Sequence, residues 1–188
     1  MTNSVLDQAS ALMLSGETAI GEYPLEAIAV MRAVADGASA FLQSSAGLVE
    51  HHAAATVPEA MGEAIELICR RLPITKIIAV TISGFAARIA AAHMPRQPVL
   101  AVTNNPRTAR RFNLYPGTTG YYIDIPFSRT SMDHVPECLR HLWQTGDLLD
   151  DDMILVTAVG YPTSGNRMNL IETHVVSDLK QALRWEME

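Results

Sequence analysis

Apolar positions along this chain follow two different periods, and the change between them divides it. Behind Pro24, the residues Leu25, Ile28, Ala29, Ala33, Val34, Phe41 and Leu42 recur at near-helical spacing, which predicts a helix from about Pro24 to Leu42. Ahead of it, Ala11 to Leu14 reads as a short buried strand followed by a Ser-Gly-Glu-Thr turn, and Thr2 to Ala9 as a helix end or a loop. The stretch QSSAGLVEHHAAAT is small and polar without period, so a linker is expected over residues 44–55. Past it, Thr56-Val57-Pro58-Glu59 matches a capping box, in which the threonine hydroxyl and the glutamate carboxylate satisfy open N–H groups at a helix start. Ala60, Met61, Ala64, Ile65, Ile68, Cys69 and Leu72 then form one apolar stripe.

From there the pattern shortens to apolar runs of strand length at Lys76 to Ile82, Pro98 to Thr103, Thr118 to Ile125 and Met153 to Val159. Asn169 to Val176 alternates enough to be a half-covered fifth strand. Helices are expected between the first four: SGFAARIAAAHM up to Pro95, a short one from Pro106 to about Phe112 capped by Asn105, and one from about Ser131 to Thr145 that stops at Gly146. Strand and helix in alternation with short connections predict an α/β fold of three layers, αβα, around a mostly parallel five-stranded sheet over residues 56–176. The last strand has no crossover helix before it and is expected to run antiparallel at an edge. SDLKQALRWEME, residues 177–188, reads as a helical tail with Leu179, Leu183 and Trp185 as its apolar contacts.

Composition narrows the function classes. The 188 residues are 48% hydrophobic and 18% charged, with a mean hydropathy of +0.12, which predicts a folded chain. A net charge of −6 argues against nucleic acid or an anionic membrane surface as partner. No run approaches the apolar length of a membrane span and no basic region precedes an apolar one at the start, so a cytoplasmic protein is expected. Cys69 and Cys138 fall on apolar helix faces and read as buried free thiols. His51, His52, His93, His134, His141 and His174 have no metal-ligand spacing, and no metal site is expected.

Two longer stretches carry a resemblance. VLDQASALMLSGETAIGEYPLEA, from Val5 to Ala27, is similar to the last strand of the catalytic barrel of pyruvate kinase, with Gln8 and Ser10 standing where the family has glycine and aspartate. PVLAVTNNPRTARRFNLYPG, from Pro98 to Gly117, resembles a run in that family's C-terminal domain, matching at Ala101, Val102, Thr103, Asn105, Thr108, Ala109, Arg110, Leu114, Tyr115 and Gly117. The resemblance spans about Val5 to Val176. It implies that residues 1–43 derive from the last β/α unit of a barrel and that residues 56–176 correspond to the family's regulatory and tetramer-forming domain. The family moves a phosphoryl group between phosphoenolpyruvate and ADP, using Mg and K ions and a lysine on barrel segments that would precede Met1. For this chain alone no cofactor and no complete catalytic site are expected, and a homo-oligomer is.

The resemblance also points to site residues. Ser15, Glu17 and Thr18 correspond to the turn at the barrel mouth, where Glu17 reads otherwise as a capping or solvated carboxylate. Thr81, Ser83 and Gly84 match a loop that holds an effector's phosphate in members regulated by a sugar bisphosphate, whereas Phe85 and Ala86 replace polar positions of that loop. Ser164 and Gly165 match a second effector loop, and Arg167 beside them could clamp a phosphate in two-pronged fashion. Ordinary turns are the alternative reading for both loops. Arg107, Arg110 and Arg111 share one helix face, solvated or placed for pairing chains. Lys76 and Lys180 are the chain's only lysines, and neither reads as a phosphate-binding group.

Overall fold

The computed structural model describes residues 1–7, 9–45, 56–93, 95–128, 130–159 and 168–186. They fall into two compact units, Met1–Ala53 and Ala54–Glu188. In the first, α1 (Thr2–Leu6) and α2 (Gly16–Ala19) lie against α3 (Pro24–Ser45). Val5 and Ala38 are its only described buried apolar residues. The strand expected at Ala11 to Leu14 is absent: the backbone there is irregular, although Leu12 and Leu14 are half-buried while Ala11 and Met13 are exposed. Alternation survives without a ladder, because a strand needs a neighbour to take its N–H and C=O groups and no described strand lies in this unit.

The second unit is a three-layer αβα fold. It runs α4 (Val57–Arg71), β1 (Lys76–Val80), α5 (Phe85–Ala92), β2 (Val99–Thr103), α6 (Pro106–Phe112), β3 (Thr118–Tyr122), α7 (His134–Gln144), β4 (Met153–Ala158), β5 (Leu170–Val175) and α8 (Val176–Leu183). The sheet order is β3-β2-β1-β4-β5, parallel throughout except for the antiparallel β4–β5 edge pair. The capping box forms as read: Glu59 N–H donates to the Thr56 hydroxyl and Thr56 N–H to the Glu59 carboxylate. Asn105 caps α6 by accepting from the N–H groups of Arg107 and Thr108, each at 3.0 Å.

β1 is apolar at consecutive positions because both sheet faces are covered. Ile77 and Ala79 join Ile65, Ala87 and Phe112 under α4, α5 and α6, whereas Ile78 and Val80 join Leu139, Leu142 and Trp143 under α7. The chain builds outward from β1 through β2 to β3, then returns through α7 to β4 on the other side of β1. Right-handed crossovers require the returning helix to take the opposite face, and α7 does.

The tail folds back onto α7. Arg184 adopts a left-handed conformation (φ 52°), so Trp185 turns inward, 8% exposed, with its ring centroid 6.0 Å from that of Trp143. Lys180 Nζ lies 4.6 Å over the Trp143 ring and 2.9 Å from Asp150, which also accepts from the Trp143 indole N–H. Trp185→Ala is expected to cost about 3 kcal/mol by emptying this contact, read as an earlier urea midpoint followed by Trp143 fluorescence. An unchanged midpoint would mean the tail adds nothing to the unit's stability.

Candidate functional site

Parallel strands that depart in opposite directions leave a crevice beyond their carboxyl ends. In this sheet that point lies between β1 and β4. The turn after β1 is fixed by its own polar groups. Thr81 is buried, donates its N–H to Val102 O at 2.9 Å and accepts from Gly84 N–H at 3.0 Å through its hydroxyl. Gly84 holds φ 90°, and a Cβ there would stand 2.8 Å from the Phe112 ring. A left-handed residue pressed against an aromatic edge explains glycine at this position. α5 starts at once, and Gly84 supplies no side-chain cap. The two helices that begin at this edge after β1 and β2 therefore differ: Asn105 satisfies the first turn of α6, while the N–H groups of Phe85, Ala86 and Ala87 gain no side-chain acceptor among the described residues.

Ser83 is exposed beside these donors, and its hydroxyl has no partner among the described residues. Arg88 is exposed as well, its guanidinium 5.4 Å above the Phe85 ring. In sequence, Phe85 stands where the resembled loop has a polar residue, and Arg88 lies outside that motif. The Phe-x-x-Arg spacing on a helix start was the available signal, since side chains three apart share a face. A cation in a first turn opposes the helix dipole unless an anion sits between them. On β4, Thr157 is fully buried with a hydroxyl that has no partner among the described residues, a group that sequence alone did not mark.

Ser164, Gly165 and Arg167 lie outside the described residues. The chain reaches them from Val159, and Asn169 bonds back to Ala158 O at 3.4 Å, so both ends of that segment stand at the carboxyl end of β4, beside β1.

Ser15, Glu17 and Thr18 belong to the first unit and serve one another. The Glu17 carboxylate accepts from Ser15 N–H at 3.1 Å, and the Thr18 hydroxyl donates to Ser15 O at 3.3 Å. Bonds from its own N–H and that of Ser15 hold Glu17 below the usual carboxylate range. Both lysines are engaged, Lys76 with buried Asp152 and Lys180 with Asp150. Burial pushes Cys69 up to about 11 and Cys138 to about 12, so neither is a ready thiolate. His93 lies 3.8 Å from Glu66, His174 3.2 Å from Glu172, and His134, lowered by burial, stacks on Phe127; His51 and His52 lie outside the described residues. No three His, Cys, Asp or Glu side chains among the described residues converge to hold a metal ion. No helix among them is long and apolar enough to cross a membrane.

Residues 59–174 match the family model described as pyruvate kinase, alpha/beta domain. Curated relatives are pyruvate kinases: that of Geobacillus stearothermophilus is 30% identical over 182 residues and that of Staphylococcus haemolyticus 31% over 185. Each match covers 95% of this chain and 30% of the relative, so the chain spans about a third of the length of the proteins it matches. A crystal structure of Cryptosporidium parvum pyruvate kinase superposes with a TM-score of 0.66 at 26% identity, over 92% of this chain and 34% of that one. Another from the same organism gives 0.69 at 24% identity and bears on the fold alone.

Proposed function

The chain belongs to the pyruvate kinase family, through its α/β domain, and from that premise we propose that it is a regulatory and oligomer-forming module whose carboxyl edge binds a phosphorylated metabolite. The observation that carries this is the start of α5. Three N–H donors without a side-chain cap and a Ser83 hydroxyl without a partner among the described residues, together with Arg88, suit a phosphate group, and they stand at the point where the sheet changes direction. A sugar phosphate is the ligand class proposed, by the resemblance of Thr81, Ser83 and Gly84 to the family's effector loop; Ser164, Gly165 and Arg167 enter the proposal by resemblance alone.

The same reading gives the chain no phosphoryl-transfer activity of its own. Such chemistry needs cations and metal positioned around the transferred group, and here both lysines are held by aspartates. Assayed with phosphoenolpyruvate and ADP, the purified chain is expected to form no pyruvate. Turnover within about tenfold of an ordinary kinase, taken as tens per second, overturns this half of the reading.

Binding is tested by calorimetry and thermal shift with fructose 1,6-bisphosphate, glucose 6-phosphate, ribose 5-phosphate, AMP and inorganic phosphate. At a hundredfold excess over Kd, one of them is expected to stabilise the fold by about 2.7 kcal/mol. Ser83→Ala should weaken that ligand about fivefold, the equivalent of one hydrogen bond. A flat response to the whole panel removes the binding role.

A further inference from the structure

We infer that the stack of His134 on Phe127 is an acid-sensitive catch on the start of α7: it holds while the imidazole is neutral and lets go when the ring takes up a proton. The catch is independent of the ligand proposed above.

α7 starts with little help from its own backbone. Its N-cap Asp133 makes no side-chain cap bond, and Pro136 in the first turn has no N–H to offer. Val135 N–H bonds back to Met132 O at 2.9 Å. What fixes the entry is aromatic: the His134 ring lies on the Phe127 ring, with centroids 4.7 Å apart and planes 27° from parallel. Phe127 packs against the core cluster that also holds Ile123, Val135 and Cys138. The stack therefore joins the segment leaving β3 to the first turn of α7.

This join suits a neutral ring. Nδ1 of His134 is buried and has no partner among the described residues. In the charged ring both nitrogens are N–H donors, and a charged donor buried without an acceptor costs more than a neutral group left unpaired. The first residue of a helix also meets the positive end of its dipole. Burial keeps the imidazole below its ordinary value, although Asp133 beside it favours the charged form. The other nearby charges are engaged elsewhere. Glu137, one turn on, pairs with Arg140, and Asp124 accepts from the Tyr122 hydroxyl. Arg184 and Glu186 of the tail line a cleft with Pro136, Glu137 and Arg140 that does not include His134; Arg129 lies outside the described residues. The remaining described histidines are placed differently: His93 and His174 each stand beside a glutamate, which becomes an ion pair when the ring is charged, and His141 occupies the last turn of α7, where the dipole favours a cation. Acid therefore works against the fold at His134. Release frees the first turn of α7 from a cluster shared with Val80, the last residue of β1.

A folded value below the unfolded one means that stability is highest above the unfolded value near 6.5 and declines as pH falls from there toward the lower folded value. The test is urea unfolding of the full chain at about pH 7.5 and about pH 5.5 beside His134→Phe, which keeps a stacked ring and cannot be charged. Trp143 and Trp185 report the transition. Other titrating groups are common to both proteins, so their difference isolates His134. Between the two pH values wild type is expected to lose folding constant relative to the variant several-fold, about tenfold at most, the limit for a ring that stays neutral in the fold one unit below 6.5. A difference that is the same at both pH values overturns the catch. Should His134→Phe not fold, wild-type NMR decides: a His134 ring titrating below about 6.5, with lower amide protection factors at Val135 and Cys138 at the lower pH, is expected. Titration at or above about 6.5, or unchanged protection, overturns it.

Discussion

Gly120→Ala should destabilise the αβα unit by about 3 kcal/mol or more, at the upper end of the range for overpacking. A Cβ on Gly120 would stand 1.9 Å from the carbonyl oxygen of Ala109 and 3.1 Å from Phe112 Cβ, both on α6. Relief requires the helix to move away from β3. That movement breaks the bond from Gly120 N–H to Asn113 Oδ1, 2.9 Å long, which covers part of the open edge of the sheet. With roughly 3 °C of melting temperature per kcal/mol for a unit of this size, the midpoint should fall on the order of 10 °C. Thr119→Ala, next door on an exposed position, should stay within about 0.5 kcal/mol. A Gly120→Ala protein that melts with the wild type would show that α6 does not approach the strand this closely.

Asp152→Ala carries a comparable cost from a different cause. Asp152 is 5% exposed and accepts from the Thr75 hydroxyl at 2.6 Å, from Leu149 N–H at 2.7 Å and from the Lys76 ammonium. It ties the start of β1 to the turn before β4. Removing it leaves Lys76 and an amide without their acceptor, which costs about 3 kcal/mol, while Asp152→Asn should lose less. Burial pushes the Asp152 carboxyl up, but the bonds from Leu149, Lys76 and Thr75 outweigh it and hold the group below the ordinary carboxylate value. A lowered folded value means this stabilisation is complete above the unfolded value near 3.9 and fades as pH falls through the lower folded one. Urea unfolding should therefore show the gap between wild type and Asp152→Ala wide at pH 7 and narrowing below about pH 4. A gap that stays constant down to pH 2 or so would mean the carboxylate is not the cause.

Much of the fold could be read from local chemistry. Thr56 with Glu59, and Asn105 with Pro106, fixed two helix starts because caps act within four residues. The apolar runs at β1, β2 and β4 were legible because a doubly covered strand has no polar side. Boundaries moved where a local bond competed. Ser128 accepts from the N–H groups of Thr130 and Ser131, so α7 begins at His134 instead of near Ser131. Ala11 to Leu14 has strand-like residues, yet pairing is decided by neighbours that a local pattern does not contain.

The site was legible to a similar depth. Strand, Thr-x-Ser-Gly, helix is a short-range signal, and the turn formed around Thr81 and Gly84 as its residue types suggest. What the sequence did not mark depends on the fold: the link between Lys76 and Asp152 spans 76 residues, and the fit of Gly120 against Ala109 exists only once α6 lies on β3. The tail is a third case. Trp185 stands beyond the end of the family match at residue 174, and its place against Trp143 follows from the left-handed Arg184.

Amide NMR titration with the compound that gives the largest thermal shift is the most direct measurement of whether the edge between β1 and β4 holds a phosphate. Saturable shifts centred on Ser83, Gly84, Phe85 and Ala86, with smaller ones at Val159 and Met168, are predicted. Shifts confined to other parts of the sheet, or none at a concentration that saturates calorimetric binding, would contradict it.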